Sequence, residues 1–182
     1  MTLQYEQFKK FASEFVSISS NLGDEWVLKS IKKGPEEEVY LEKRILKPDN
    51  KDNDIPDIDR NEIEQMSSFK IFVYHIIYSQ SYSVPVLCFN ANHEDGKLLS
   101  LDEIWNEIPK CYGNLPENKW NMLTQQEHPK LGIPCFMIHP CYTADLMSAC
   151  KSSNYIISWL SIIGPIVGLN LSLQYAKFTQ KM

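Results

Sequence analysis

"FKIFVYHIIYSQSYSVPVLCFN", residues Phe69–Asn90, is the stretch that decides the fold. Phe69–Ser79 and Ser83–Asn90 are both rich in β-branched and aromatic residues, and apolar side chains alternate along the first. This composition predicts two long strands, because such side chains pack well on a pleated, half-buried surface. Only Ser79–Tyr82 connects the two strands, so we expect them to pair as an antiparallel hairpin.

A second hairpin is predicted on the N-terminal side of the first. Trp26–Ile31 and Val39–Leu46 have strand-like composition and are joined across Lys33-Gly34-Pro35, a typical turn sequence. Leu3–Ser20 precedes this hairpin and repeats apolar residues at steps of three and four, which predicts an amphipathic helix. Gly23, just past the last periodic residue, is a helix stop signal.

Helices and one short strand are predicted after the central hairpin. Ser100–Glu107 is predicted as a short helix because Ser100 and Glu103 form a capping box. The later elements are a polar connector at Gly113–Glu127, a strand at Pro134–Ile138, and helices at Thr143–Lys151 and Asn154–Ile163. This order predicts an α+β fold: an antiparallel sheet of about four or more strands, with an N-terminal helix and C-terminal helices packed on it.

The length of 182 residues suits a single domain that spans residues 1–182. One segment interrupts the pattern of strands and helices. Pro48–Glu62 contains six acidic and two basic residues, two prolines and few apolar side chains. We therefore predict a mobile acidic surface loop at about residues 48–62, whose charge serves mainly solvation.

The charge of the chain argues against two classes of partner. Lysine and arginine total 18 and acidic residues 23, which gives a net charge of −5, whereas nucleic acids and anionic membranes require a basic surface. The longest apolar stretch, Tyr155–Leu171, contains Gly164-Pro165 and falls short of the roughly 20 residues that span a bilayer. We expect a cytoplasmic protein with protein partners, no nucleic acid and no transmembrane segment.

Five cysteines are present, and no secretory signal is recognisable in Met1–Phe15, so disulfides are not expected. At least one thiol must therefore serve either packing or chemistry. A zinc site is disfavoured because Cys135, His139, Cys141 and Cys150 lack the close paired spacing of zinc ligands, and Pro140 separates two of them. A cysteine protease is also disfavoured, since no known protease pattern surrounds any cysteine.

Cys141 is the strongest candidate for chemistry. Pro140 restricts the backbone and forces His139 into an extended conformation, so the chain is predicted to leave its strand in a rigid turn. A thiol after such a turn would lie at the rim of the sheet, where it can react. The alternative, a buried cysteine that fills the core, stays open from these residues alone.

Four segments resemble the autophagy family of E2-like conjugating enzymes. The active-site segment of that family is similar to "EHPKLGIPCFMIHPCYT" (Glu127–Thr143), in which His139-Pro140-Cys141 stands where ubiquitin E2 enzymes carry His-Pro-Asn. The other segments are similar to the animal form of the member that transfers a ubiquitin-like autophagy modifier to a protein: "YHIIYSQSYSVPVLCF" (Tyr74–Phe89), "DGKLLSLDEIW" (Asp95–Trp105) and "YIISWLSIIGPIVGLNLSLQYAK" (Tyr155–Lys177).

The resemblance implies an E2-like core in which Cys141 accepts the modifier from an E1-like activating enzyme as a thioester and passes it to a lysine of an autophagy acceptor protein. It also implies catalytic roles for Tyr82 and His139 as hydrogen-bond donors or proton relays beside Cys141, or else purely structural roles. No cofactor or metal is expected. The alternatives are the sister enzyme that transfers a modifier to phosphatidylethanolamine, an inactive E2-variant binding module, and a cysteine hydrolase.

Overall fold

The computed structural model of the protein describes residues 1–33, 36–49, 68–108, 123–150 and 152–179. Its centre is one sheet of six strands, in the order β1-β2-β3-β4-β6-β5. Every pair of neighbouring strands is antiparallel. The strands are β1 (Val27–Lys33), β2 (Glu36–Pro48), β3 (Phe69–Ser79), β4 (Val84–His93), β5 (Leu123–Glu127) and β6 (Pro134–Ile138).

The central hairpin is confirmed. Strands β3 and β4 pair continuously from Lys70 opposite His93 to Ser79 opposite Val84. Alternate side chains of β3, such as Phe72, Tyr74 and Ile76, are buried in the main core. This alternation is what the sequence pattern requires, because successive side chains of a strand point to opposite faces of the sheet.

Helices cover one face of the sheet, which confirms the α+β class. They are α1 (Tyr5–Asn21), α2 (Leu101–Glu107), α3 (Thr143–Ser148) and α4 (Tyr155–Ile163). Helix α1 buries Phe8 and Phe15 completely, each stabilising the fold by about 2–3 kcal/mol. Helix α4 is capped at its N-terminus by Asn154, whose side-chain oxygen accepts from the backbone N–H groups of Ile156 and Ile157. None of the described helices is both long enough and apolar enough to cross a bilayer.

The apolar C-terminal stretch changes from α-helix to 3₁₀ turn at Gly164-Pro165. Helix α4 ends at Ile163, and Gly164–Val167 forms a 3₁₀ turn. A side chain added at Gly164 would meet the Leu169 carbonyl oxygen, so this close approach requires glycine. The turn is fastened to the sheet by the Tyr74 hydroxyl, which donates to the Val167 carbonyl at 3.0 Å. A last 3₁₀ segment, Leu173–Phe178, buries Tyr175 beside Phe15.

Two predicted boundaries were wrong. The polar connector predicted at Gly113–Glu127 contains a strand, β5, which pairs with β6 along its whole length and forms an edge of the sheet. Its sequence, LTQQE, is polar because an edge strand exposes much of its surface, so it lacks the apolar signal of β3. The first C-terminal helix ends at Ser148, whereas residues up to Lys151 were predicted to be helical.

The predicted acidic loop falls mostly on residues outside the described ranges. Its first two residues are described: Pro48 is the last residue of β2, and the Asp49 carboxylate is ion-paired with Lys70 at 2.7 Å. The turn predicted at Lys33-Gly34-Pro35 and the start of the connector also fall largely outside those ranges.

A second, smaller core lies on the sheet face that the helices leave free. Its buried apolar members are Tyr40, Ile77, Val86, Cys88 and Cys135, and we refer to this face as the second face. The turn of residues 128–133, between β5 and β6, lies over it. The buried His128 ring lies 5.0 Å from the ring of His75 in β3. The β5–β6 turn therefore folds back over the second face of the sheet.

Candidate active site

Cys141 lies in a single 3₁₀ turn, Pro140–Tyr142, directly after β6. Pro140 is buried and occupies the first helical position of the turn, where its restricted φ suits the helical backbone. The Cys141 side chain is exposed. A turn directly after β6 therefore carries an exposed Cys141, as predicted, and the alternative of Cys141 as a core-filling residue is wrong.

His139 caps this turn. Its backbone is extended, with φ −64° and ψ 128°, as the following proline demands. Its Nδ1 accepts a hydrogen bond from the backbone N–H of Cys141 at 3.2 Å. In the neutral imidazole the proton must then sit on Nε2, which leaves one ring N–H as a donor near the thiol-bearing residue.

Tyr82 comes to the same place from the turn between β3 and β4. Its ring centroid lies 5.6 Å from that of His139, and the ring planes are nearly perpendicular at 80°. The Tyr82 side chain is 44% exposed, so its hydroxyl group is not locked inside the core. The structure thus brings Tyr82 and His139 into contact, and His139 into contact with the backbone of Cys141.

The backbone of the β3–β4 turn is constrained. Ser83 has a φ of +53°, in the left-handed region that non-glycine residues rarely adopt. Its carbonyl oxygen accepts from the Leu3 N–H at 2.7 Å, and the Leu3 carbonyl accepts from the Tyr78 hydroxyl at 2.7 Å. These bonds hold the turn that carries Tyr82 in a defined position.

The segment before α1 therefore braces the site, which sequence reasoning missed because it assigned Leu3 to the helix. The helix starts at Tyr5, and the residues before it are extended along the end of the sheet. The Met1 backbone nitrogen donates to the Ala144 carbonyl in α3, and the Met1 carbonyl accepts from the Tyr155 hydroxyl at 2.9 Å. No local sequence pattern indicates these long-range bonds.

The other described cysteines have different environments from Cys141. Cys88 and Cys135 are buried on the second face, and Cys150 is half-buried, whereas Cys111 lies outside the described residues. A hydrogen bond with Cys135, together with burial, raises the pKa of the Cys88 thiol. A thiol in that state stays protonated and is a poor nucleophile.

Within the described ranges, no three His, Cys, Asp or Glu side chains come together in a way that could hold a metal ion. Cys135 is buried among apolar neighbours, and Cys141 is exposed on the turn.

A cavity of about 260 Å³ opens beside the Cys141 turn on the second face. Tyr82 and the residues before it form one wall, and Pro129 and Lys130 of the β5–β6 turn form another. Pro140 closes the end nearest to Cys141. The cavity therefore adjoins the Cys141 turn on the side of the β5–β6 turn.

Comparison with known proteins agrees with this geometry. The model of the family described as "autophagocytosis associated protein, active-site domain" matches residues 7–174. The human ubiquitin-like-conjugating enzyme ATG10 is 36% identical, over 96% of this chain and 92% of that protein. Proteins with the same name from Arabidopsis thaliana and Dictyostelium discoideum are 42% and 41% identical; the matches cover 56% and 59% of this chain and 50% and 54% of those proteins.

The family match covers most of the chain and includes α1, the sheet, the Cys141 turn and α4. The likeness to the human enzyme is nearly full length in both proteins. A conjugating enzyme of this type works with an activating enzyme and a ubiquitin-like modifier. The chain belongs to the autophagocytosis-associated active-site family and is an E2-like, ubiquitin-like-conjugating enzyme of autophagy.

Proposed function

We propose that Cys141 is the residue that carries the modifier, and that the acceptor is a lysine of an autophagy protein. The observation that carries the proposal is the exposed thiol on a rigid turn, anchored by the buried Pro140 and capped by His139. A carrier thiol must be reachable by two large partners in succession, the activating enzyme and the acceptor. An exposed thiol at the rim of the sheet meets that need, and a core thiol does not.

The chemistry consists of two acyl-transfer steps. In the first, the Cys141 thiolate attacks the carbonyl carbon of the modifier's C-terminal thioester on the activating enzyme, and the thiolate of that enzyme leaves. In the second, the neutral amine of the acceptor lysine attacks the new thioester, the Cys141 thiolate leaves, and the amine loses a proton to solvent or a nearby base. The product is an amide bond, and the Cys141 thiolate is regenerated.

Both steps pass through an oxyanion that needs a hydrogen-bond donor, each worth about 3–4 kcal/mol in barrier height. The Asn side chain that ubiquitin E2 enzymes carry in the corresponding motif has no counterpart in His139-Pro140-Cys141. We assign the donor role to the His139 Nε2–H and the Tyr82 hydroxyl. Their support is the ring contact at 5.6 Å and the Nδ1 bond that directs the His139 proton to Nε2.

The reaction itself requires no cofactor bound to this chain. We propose that it takes place in the cytoplasm, where thiols stay reduced. Transfer to phosphatidylethanolamine is the alternative within the family. An inactive binding module and an independent hydrolase remain as outcomes of the test.

The test uses a preformed adduct. The protein is charged with activating enzyme, ATP and modifier, further charging is stopped, and acceptor protein or phosphatidylethanolamine vesicles are added. We expect the adduct to be lost with reductant and to move to the acceptor protein. Transfer to the vesicles alone would favour the lipid reaction, and failure to form any adduct would favour the binding module. Steady hydrolysis without any acceptor would favour the hydrolase.

A further inference from the structure

Two histidines on the second face have nitrogen atoms without a partner. His75 is 3% exposed and His128 is 1% exposed. The His75 Nδ1 and the His128 Nε2 are buried and have no hydrogen-bond partner among the described residues. Leaving a buried polar group without a partner is costly, so two of them in neighbouring rings require an explanation.

The hydrogen bonds of the remaining nitrogens determine where the protons are. The His128 Nδ1 accepts from the backbone N–H groups of Lys130 and Leu131, at 3.2 and 3.1 Å. A neutral His128 therefore carries its proton on Nε2. The His75 Nε2 lies 3.1 Å from a Glu42 carboxylate oxygen, which can only accept, so His75 carries its proton on Nε2 and leaves Nδ1 as an acceptor.

The two nitrogens without partners are thus complementary: one is a donor and the other an acceptor. The ring centroids are 5.0 Å apart and the planes lie at 87°. The structure has no hydrogen bond between the two rings, but at this separation a small ring rotation or one bridging water would join the donor to the acceptor.

We propose that His128 and His75 form a neutral imidazole pair that latches the β5–β6 turn onto the sheet and thereby positions one wall of the cavity beside Cys141. The chain of bonds runs from the backbone of the turn through both rings to Glu42, which also accepts from Lys29 at 2.6 Å. Pro129 and Lys130, next to His128, form that wall. Both histidines are positioning residues; neither one touches the reacting atoms.

The surroundings favour the neutral state of the pair. Glu42 is the carboxylate in contact with His75, and it is already paired with Lys29. Lys130 is ion-paired with Glu38 of β2, a second attachment of the same turn. Protonation of His128 would place a hydrogen on Nδ1, where two backbone N–H groups now donate, and would break both of these hydrogen bonds. The titratable or charged side chains that face the pair are Lys29, Glu38, Tyr40, Glu42, Cys88, Lys130 and Cys135.

The first test reads the tautomers directly. Long-range ¹H–¹⁵N correlation of the full chain at about pH 7 should show His75 and His128 as neutral rings, each protonated at Nε2. The Nε2–H of His128 should exchange slowly with solvent. A cationic ring, or a proton on the Nδ1 of either residue, would overturn the proposal.

The second test isolates the coupling between the two rings. His128→Asn keeps an oxygen where Nδ1 accepts from the turn, and His75→Gln keeps a donor for Glu42, so each removes only its half of the pair. The double variant should be less destabilised than independent effects predict, with an unfolding equilibrium constant roughly 10-fold smaller than the product of the two single effects. Independent effects that simply multiply would show that the rings do not interact.

The third test connects the latch to the reaction, and this part rests on the proposed function. In single-turnover discharge, His128→Asn should slow transfer about 10-fold and raise the acceptor concentration for half-maximal rate, while charging by the activating enzyme stays unchanged. His93→Gln is the matched control, because His93 also contacts a glutamate, Glu103 at 3.1 Å, but lies away from the cavity. Equal loss in charging and discharge, or no loss in either, would refute the positioning role. Failure of Cys141 to form an adduct would refute the proposed function, and the tautomer test would still decide the pair.

Discussion

Acidification from about pH 7 to about pH 4.5 should destabilise the protein by about 2 kcal/mol through His128 alone. Burial, reinforced by the nearby His75, lowers the pKa of His128 from 6.5 to about 4. The unfolded chain therefore takes up a proton first as the pH falls, while the folded chain stays neutral. The stabilisation is complete above pH 6.5 and is lost as the pH falls from 6.5 toward 4.

The size of this loss follows from the shift. Each pKa unit is worth about 1.4 kcal/mol, and roughly 1.7 units of the difference are expressed between about pH 7 and pH 4.5, which gives a loss of a little over 2 kcal/mol. Burial also lowers the pKa of His75 despite its contact with Glu42, so this residue adds to the loss. Hydrogen bonds from Ser100 lower the pKa of Glu103 to about 2, and contacts with Lys29 and His75 lower the pKa of Glu42.

Urea unfolding at both pH values, followed by the fluorescence of the buried Trp26 and Trp159, measures the effect. His128→Asn has no titrating ring at this position, so its stability should fall by about 2 kcal/mol less than that of the natural protein over the same range. His93→Gln should follow the natural protein. If His128→Asn and the natural protein lose the same stability on acidification, His128 is not neutral and buried as described.

Three further changes have defined outcomes. Asn154→Ala should destabilise the protein by about 1–3 kcal/mol in urea unfolding, because two buried N–H groups lose their cap, and Asn154→Ser should restore part of the loss. Replacement of residues Asn50–Asp59 by a short Gly/Ser linker should change stability by no more than about 1 kcal/mol, and collapse of the fold would show that the segment is packed. Tyr82→Phe and His139→Ala should slow discharge onto the acceptor by roughly 10–1,000-fold in a single-turnover chase, and they should leave charging intact because that step can use donors of the activating enzyme. Discharge at the rate of the natural protein in both variants would show that neither residue takes part in the mechanism.

Local pattern predicted the elements that bury an apolar face. The alternation in Phe69–Ser79, the helical period after Leu3 and the capping box at Ser100 each correspond to an observed element. Strand β5 was missed because an edge strand with a polar sequence gives no such signal.

In the candidate site, too, local features could be predicted from the sequence, and contacts between distant segments could not. Pro140 predicts the turn after β6, since its effect on the backbone is local, but these residues alone left the exposure of Cys141 open. The expectation that Tyr82 and His139 lie beside Cys141 came from the family resemblance. Local pattern could not supply it, because their contact joins the β3–β4 turn to the end of β6. The contact between His75 and His128 depends on how the β5–β6 turn folds over the sheet, and no spacing in the sequence encodes that.

The most direct measurement is the site of the modifier on the charged protein. After incubation with activating enzyme, ATP and modifier, a sample quenched without reductant is analysed by mass spectrometry, first intact and then after digestion. We predict one modifier joined through its C-terminal carboxyl to Cys141 and released by reductant, and a reductant-resistant ester at the same position in Cys141→Ser. A thioester on Cys88, Cys111, Cys135 or Cys150, or a reductant-sensitive adduct that persists in Cys141→Ser, would contradict the assignment of Cys141 as the carrier.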